Sequence, residues 1–308
     1  MTQDGKVLVT IVVPVHNEAP NVQVLVDQIT KVLLPLSAEY QYSILFVDDG
    51  STDGTLAQIK KLRETAFHIN YLSFSRNFGH QSALLAGLAN AAGDAIITMD
   101  GDLQHPPEYL PAMLEAFSKG ADVVYMQRIN MSESLKSTLG QLFYLLFNLF
   151  SGYRLVANAA DFRLISNDIA KQLVALPGQG KVLRAILPTL AKKPVVLQYH
   201  EAKRANGQPS YSYHDLFVLM LNIIFKFSKA PAYSLIIIGP LLLLLSIILL
   251  TLSLAGTLIV PLFLPIVLLA ISIILICTGM LGLFAISLMD QIRQTPNYII
   301  QESSIAAP

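Results

Sequence analysis

The sequence has no tryptophan, a single cysteine and little charge: Cys277 stands alone, and Asp, Glu, Lys and Arg make up 14% of 308 residues. One cysteine excludes an intrachain disulfide framework and any zinc site built on cysteine pairs. Basic and acidic side chains number 21 each. That zero balance argues against a nucleic-acid-binding protein, which usually shows a basic excess. With 53% of residues hydrophobic, the composition also excludes a disordered chain. No Walker phosphate loop is present, and no Gly-x-Gly-x-x-Gly follows the first apolar run. A P-loop nucleotidase and a dinucleotide oxidoreductase are therefore both poor fits.

The missing charge is concentrated in one place. Residues 230–289 contain no Asp, Glu, Lys or Arg. A helix crosses about 30 Å of hydrocarbon with about 20 apolar residues, so 234–254 and 263–288 predict two spans. Gly256, Thr257, Pro261 and Pro265 interrupt them and predict a short turn. Lys226 and Lys229 precede the pair and Arg293 follows it, so by the positive-inside rule both flanks are expected in the cytoplasm. The opening Met-Thr-Gln-Asp-Gly-Lys has no apolar signal segment, which agrees with a domain that stays there. On that side the sequon Asn130-Met131-Ser132 is a coincidence. The expected organisation is a cytoplasmic domain over 1–229, a hairpin over 230–290 and a cytoplasmic tail over 291–308, in a multi-pass protein of the plasma or inner membrane. Removing residues 230–308 takes away only Asp290, Arg293 and Glu302, so the first domain remains balanced.

Within that domain, β-branched runs alternate with helical patterns, predicting an α/β fold with a mostly parallel sheet. Strands are expected at 7–13, 43–47, 69–74, 95–99 and 122–126, and helices at 20–34, 55–64, 81–91 and 107–117. Segments 135–150 and 213–227 are amphipathic, strongly apolar and too short or too polar to span, which suits helices lying in the membrane interface. In open α/β sheets, ligands bind beyond the carboxyl ends of the strands. Four polar clusters fall at those ends: His16-Asn17-Glu18, Asp48-Asp49-Gly50-Ser51, Ser75-Arg76-Asn77 and Asp100-Gly101-Asp102. One such cluster reads as a turn; four after successive strands converge on a site. Asp53 either joins them or caps the helix beginning beside it. His80 and His105 read as loop and helix-start residues, and no histidine pair has a zinc spacing.

With Val13-Pro14-Val15-His16-Asn17-Glu18, Val47 to Asp53 (VDDGSTD), Arg76-Asn77-Phe78-Gly79-His80, Asp100 to Pro107 (DGDLQHPP) and Asp161-Phe162-Arg163-Leu164 in this order, the chain resembles inverting family 2 glycosyltransferases. Within them it is most similar to polyprenyl-phosphate glycosyltransferases, the group of dolichol-phosphate mannose synthases and bacterial undecaprenyl-phosphate sugar transferases. The resemblance runs over most of the chain. It implies a GT-A-type, Rossmann-like domain followed by the juxtamembrane helices and the two spans.

It also implies roles. Pro14, Val15, Asn17, Glu18, Asp48, Asp49, Ser51, Arg76, Asp100 and Gly101 would bind the nucleotide sugar. A departing nucleoside diphosphate carries extra negative charge, which Mg²⁺ or Mn²⁺ neutralises; Mg²⁺ commonly takes one or two carboxylates plus substrate phosphates. Asp102 is the first expected ligand, with Asp100 shared between ribose and metal and Gln104 in support. The acceptor phosphate, with a second pKa near about 6, is already largely ionised at pH 7 and needs cations to position it more than a base to activate it. Arg128, Lys136, Arg163, Arg184, Lys203 and Arg204 lie between the sheet and the membrane segments and are the candidates. Asp161, with Asp102, is the expected catalytic residue, either as a base or as the residue that orients this cationic network.

The partners so implied are a nucleotide sugar, best UDP-glucose, a polyprenyl phosphate such as undecaprenyl phosphate, and the membrane, with no nucleic acid. A homo-oligomer, a tetramer by the family pattern, and a flippase partner belong to the same expectation. Two departures bear on the donor sugar and on acceptor affinity: Ala160 where the family often has Gly, and Gln208-Pro209-Ser210-Tyr211 in place of a basic segment. The alternatives are a mannosyl or amino-sugar transferase, or a non-catalytic membrane scaffold. A processive polysaccharide synthase would need a Gln-x-x-Arg-Trp motif, which a chain without Trp cannot supply.

Overall fold

The structure is a computed structural model and describes residues 5–129, 159–176, 183–202, 230–255, 261–292 and 298–305. The amphipathic segments 135–150 and 213–227, the sequon, Lys136, Lys203 and Arg204, and the flanking Lys226, Lys229 and Arg293 lie outside the described residues. The chain divides into a sheet-based unit and a helical unit.

The sheet unit runs β1 (Val7–Val15), α1 (Ala19–Leu33), β2 (Tyr40–Asp48), α2 (Thr55–Thr65), β3 (Ile69–Phe74), α3 (His80–Asn90), β4 (Ala95–Thr98), α4 (Leu110–Ser118), β5 (Val123–Arg128), β6 (Ala159–Ser166), α5 (Asn167–Ala175), α6 (Leu183–Leu190) and β7 (Pro194–Tyr199). After the helical unit it gains β8 (Ile300–Ser303). The strand order is β7-β5-β6-β4-β1-β2-β3-β8, parallel except for β6 and β8. A parallel sheet is covered on both faces, so its strands are apolar on both. In β1, Val9, Ile11, Val13 and Val15 meet one core, with α1, α2 and α4, while Val12 meets the other, with α3, α5 and α6.

The structure differs from the expectation at one helix start and contains strands that no sequence pattern predicted. The helix expected from residue 107 begins with a 3₁₀ turn over Pro107–Tyr109, and α4 itself starts at Leu110 with a proline in its first turn. Proline lacks the N–H that an upstream helical turn would use, but suits a helix start. The motif around Asp161 is a buried strand, β6, inserted antiparallel between β4 and β5. Within 291–308, expected as a tail, Ile300–Ser303 forms β8 and joins the sheet beside β3.

The helical unit consists of α7 (Ala230–Leu254) and α8 (Phe263–Ile292). Both are long and apolar enough to cross a membrane, over Ala232–Leu254 and Phe263–Leu288. Glycines let them approach: a Cβ on Gly239 would come 2.5 Å from the Ile276 side chain, and one on Gly279 would come 2.7 Å from Ile236. Small residues at such contacts are the usual means of packing helices in lipid. The buried Ser246 and Ser272 donate to carbonyls of their own helices, Leu243 and Leu269, so neither hydroxyl is left unsatisfied. Ile237, Leu241, Ile274 and Leu281 face outward and are exposed, a surface that water does not favour.

Candidate active site

The carboxyl ends of β1, β2 and β4 lie side by side at one end of the sheet, where antiparallel β6 begins. Thr98 of β4 pairs with Arg163, so Asp161 projects past the end of β4 toward Asp100. Period-two alternation puts Asp161 and Arg163 on one face of β6 and sends Phe162 and Leu164 into the opposite core.

On the β1–β2–β3 side, the carboxylates are tied to the protein's own loops. Asp48 accepts from the Ser51 N–H at 3.1 Å and from the Ser73 hydroxyl at 2.8 Å. Asp49 accepts from the N–H groups of Phe78 at 2.6 Å and Gly79 at 2.9 Å. Burial raises the Asp49 pKa, and the two N–H bonds offset that only in part. Both residues were expected to meet the nucleotide; each of their four oxygens accepts one hydrogen bond from the protein's own loops, which ties those loops together. Gly50 lies between them and the 76–79 loop at φ 66°, and a Cβ there would come 2.7 Å from the Asn77 nitrogen. This glycine lets the 48–51 and 76–79 loops touch.

Around them, Asn17, at φ 57°, donates from its N–H to Ser51 and accepts from the Thr52 N–H, both at 2.9 Å. The Val15 carbonyl accepts from the Asp49 N–H. Glu18 accepts from the Asn21 amide at 2.5 Å. Asp53 accepts from the N–H groups of Ala19 and Thr55, the first residues of α1 and α2, a contact of the kind its helix-start reading expects. Burial works against its charge, but the Thr55 and Ala19 bonds prevail and its pKa is lowered. Arg76 is exposed, its guanidinium 4.8 Å above the Phe78 ring.

On the β4–β6 side, carboxylates face cations. Asp161 is 4% exposed, pairs with Arg163 Nη2, and receives Arg184 Nη2 at 2.8 Å and Nε at 3.2 Å. Burial would raise its pKa; Arg163, His80 and Arg184 outweigh that and hold it well below the usual carboxylate range. His80 Nε2 lies 3.6 Å from Asp161 and 3.4 Å from Asp100, linking the two. Burial lowers the His80 pKa, but the two carboxylates prevail and raise it. Arg163, expected at a lipid phosphate, is 1% exposed and pairs with Asp161. The Arg184 side chain is 42% exposed and remains accessible. Arg128 donates to the Tyr199 hydroxyl at 3.1 Å and pairs with Glu201.

The Asp100–Gln104 loop is braced from below. Gly101 lies where a Cβ would come 2.6 Å from Val15, so the loop rests on the end of β1 beside Pro14. The Asp100 N–H donates to Nδ1 of His105, a fully buried ring stacked 5.1 Å from Phe162. Burial lowers the His105 pKa despite nearby Asp100 and Asp102, so the ring is neutral. Asp102 accepts from the Gln104 N–H at 3.1 Å. Among the described residues no three His, Cys, Asp or Glu side chains form a complete metal cage. Asp100 Oδ1 is buried, makes no hydrogen bond and has His80 Nε2 as its charged neighbour at 3.4 Å. Two carboxylates two residues apart, Asp100 and Asp102, fit a cation that substrate phosphates would complete. The sequence pattern alone did not mark His80 and His105 as parts of this site. The only available signal was that each sits inside a motif already singled out.

A family model described as "Glycosyl transferase family 2" matches residues 10–173. The SfII prophage-derived bactoprenol glucosyl transferase of Shigella flexneri is 32% identical over 311 residues, covering 97% of this chain and 99% of its own. A prophage bactoprenol glucosyl transferase homolog of Escherichia coli K12 is 34% identical over 225 residues, 72% of this chain and 73% of its own. Among solved structures, mannosyl-3-phosphoglycerate synthase from Rubrobacter xylanophilus superposes with a TM-score of 0.51 at 20% identity, over 71% of this chain and 72% of its own. That likeness concerns the fold, which is of the GT-A type.

Proposed function

Since the chain belongs to glycosyl transferase family 2, we propose that it moves a single hexose, with inversion, from a nucleotide sugar to undecaprenyl or a related polyprenyl phosphate at the cytoplasmic membrane face. UDP-glucose is the proposed donor. The observation that carries this reading is the His80 bridge, 3.4 Å from Asp100 and 3.6 Å from Asp161. It puts a carboxylate suited to a metal–diphosphate and a cationic network suited to an anionic acceptor at one point. The full-length relationship to bactoprenol glucosyl transferases supports a lipid-phosphate acceptor.

Asp100 and Asp102 would hold Mg²⁺ or Mn²⁺, with Gln104 beside them; the ion would supply neutralisation of the leaving diphosphate. The loops set by Asp48 and Asp49 would receive the nucleotide. A phosphate acceptor already ionised needs no proton removed. Asp161, held well below the usual carboxylate range by two arginines, is a poor base and a good anchor. It fixes Arg184, whose exposed side chain can turn toward an anion without leaving its carboxylate unattended, since Arg163 remains.

Two crossings of the membrane are part of the proposal. The described residues before α7 end at Ala202 and those after α8 begin at Tyr298, and both belong to the sheet unit. A chain that leaves this unit through one apolar helix must return to the same side through the other. Residues 1–229, the hairpin 230–290 and the returning 291–308 are then the working parts, with the catalytic unit cytoplasmic.

The test is to incubate the purified protein with polyprenyl phosphate, Mg²⁺ or Mn²⁺ and a panel of radiolabelled nucleotide sugars. Lipid-linked product is expected, most from UDP-glucose and none after chelation. No product from any donor would sink the enzyme; product from GDP-mannose or an amino-sugar nucleotide alone would reassign the sugar.

A further inference from the structure

The segment after the second apolar helix comes back to the sheet at a particular place, the strand that feeds the 75–79 loop. β8 pairs antiparallel with β3, matching Leu72 to Ser303 and Ser73 to Glu302. At the next step Phe74 matches Ile300, so β8 carries one extra residue, Gln301, opposite the end of β3. Bulges of this kind bend an edge and re-aim the neighbouring side chains. Immediately beyond, the Ser75 N–H donates to the Ile299 carbonyl at 3.1 Å.

Side chains extend the same contact. Tyr298 stacks on Phe74 at 5.2 Å and 10°, and Phe74 meets Phe78 edge-on at 5.7 Å. Phe78 is the residue whose N–H is taken by Asp49. Further along, Glu302 accepts from the Tyr71 hydroxyl at 2.7 Å and pairs with Lys60, while Ser304 accepts from the Tyr71 N–H at 2.8 Å. Ser73, opposite Glu302, supplies the hydroxyl held by Asp48. Both carboxylates on this side of the site are therefore tied to residues of the β3 edge and its loop that β8 and Tyr298 brace.

Covering an edge strand is useful in any fold, because an open edge invites pairing with another chain. The contacts here reach past the edge into the loop. We propose that the C-terminal segment 298–305, through Tyr298 and the Ile299 carbonyl, is a positioning element of the donor-nucleotide site, holding the 75–79 loop in the conformation that receives the nucleotide. The proposal rests on the function above for its ligand, but not for its structural half.

Three full-length-derived proteins test it: wild type, a chain ending at residue 297, and the milder Tyr298→Ala/Glu302→Ala, which keeps the backbone pairing. Amide exchange of residues 70–79 is read in detergent, and KM is read separately for UDP-glucose and for polyprenyl phosphate. Truncation is expected to speed exchange at Ser75 and its neighbours, leave β1 and β4 protected, and raise the donor KM about tenfold, the scale of one net hydrogen bond. The acceptor KM should stay put. The double variant should move the same quantities by less, and a peptide of residues 298–305 added to the truncated protein should restore them. Unchanged exchange at 70–79 in an active enzyme would overturn the proposal, as would donor and acceptor KM rising together, the sign of general loosening. A wild-type protein inactive with every donor would sink the function instead.

Discussion

The two walls of the site use the same residue type in opposite ways. On the β1–β2–β3 wall, Asp48 and Asp49 accept hydrogen bonds from neutral donors, three N–H groups and a hydroxyl. On the β4–β6 wall, Asp161 faces two guanidinium groups and an imidazole. The first arrangement fixes backbone, and the second fixes charge. Under the proposed function, the uncharged wall would receive the nucleotide and the charged wall the diphosphate and the lipid phosphate.

The comparison breaks most easily at the charged wall. Replacing Asp161 by Ala leaves Arg163 buried without its partner, and removing one member of a buried pair costs about 3–5 kcal/mol. Chemical denaturation should show that loss, and the double replacement Asp161→Leu/Arg163→Met should recover much of it, since an apolar pair of similar size needs no compensation. A single Asp161→Ala protein as stable as wild type would mean the pair holds nothing. Next in size is Asp102→Asn, which keeps an acceptor for the Gln104 N–H and removes the charge. Turnover should fall about 10²–10³-fold, the usual effect of losing one aimed electrostatic group, with the unfolding midpoint little changed. The uncharged wall has a smaller counterpart in Gly50→Ala. A Cβ at φ 66°, 2.7 Å from the Asn77 nitrogen, should cost about 1–3 kcal/mol. It should raise the donor KM without touching the acceptor KM.

Much of the uncharged wall was legible in the sequence, and much of the charged wall was not. Strands β1 to β4 are apolar on both faces and end at polar clusters, so their position and their ligand-facing ends follow from pattern alone. β6 hides its identity: Asp161 and Arg163 interrupt the apolar run, and charged residues are so seldom fully buried that such a segment gives no strand signal. Their mutual pairing is what makes burial tolerable, and pairing is visible only in three dimensions. The same holds for His80, unremarkable at a helix start until two carboxylates arrive from β4 and β6. β8 is short and mostly polar, and its only strand signal is the partner it meets. Asp48 and Asp49 illustrate the converse: their position was readable, but which donors take their oxygens was not. Sequence order likewise cannot distinguish a buried guanidinium such as Arg163 from an exposed one such as Arg184.

The smallest effects concern acid, where the walls should differ in sign. Asp161 is held well below an unfolded value of about 3.9, so its contribution is complete above that pH and is lost as pH falls toward the folded pKa. Asp49 is raised, so the folded state takes up its proton first, and stability gains as pH falls through the raised value. Wild-type protein in detergent should therefore show two opposed slopes on its acid limb. Asp161→Asn should flatten the steep part below about pH 4, although less stable at pH 7; Asp49→Asn should steepen the limb above it. His80 adds a slope of the same sign as Asp49 at higher pH: its pKa is raised, so its share is present below about 6.5 and fades as pH rises through the folded value, a drift that His80→Gln should abolish. If the two Asn variants bend the limb in the same direction, the walls are not electrostatically distinct, and loop and charge are one device.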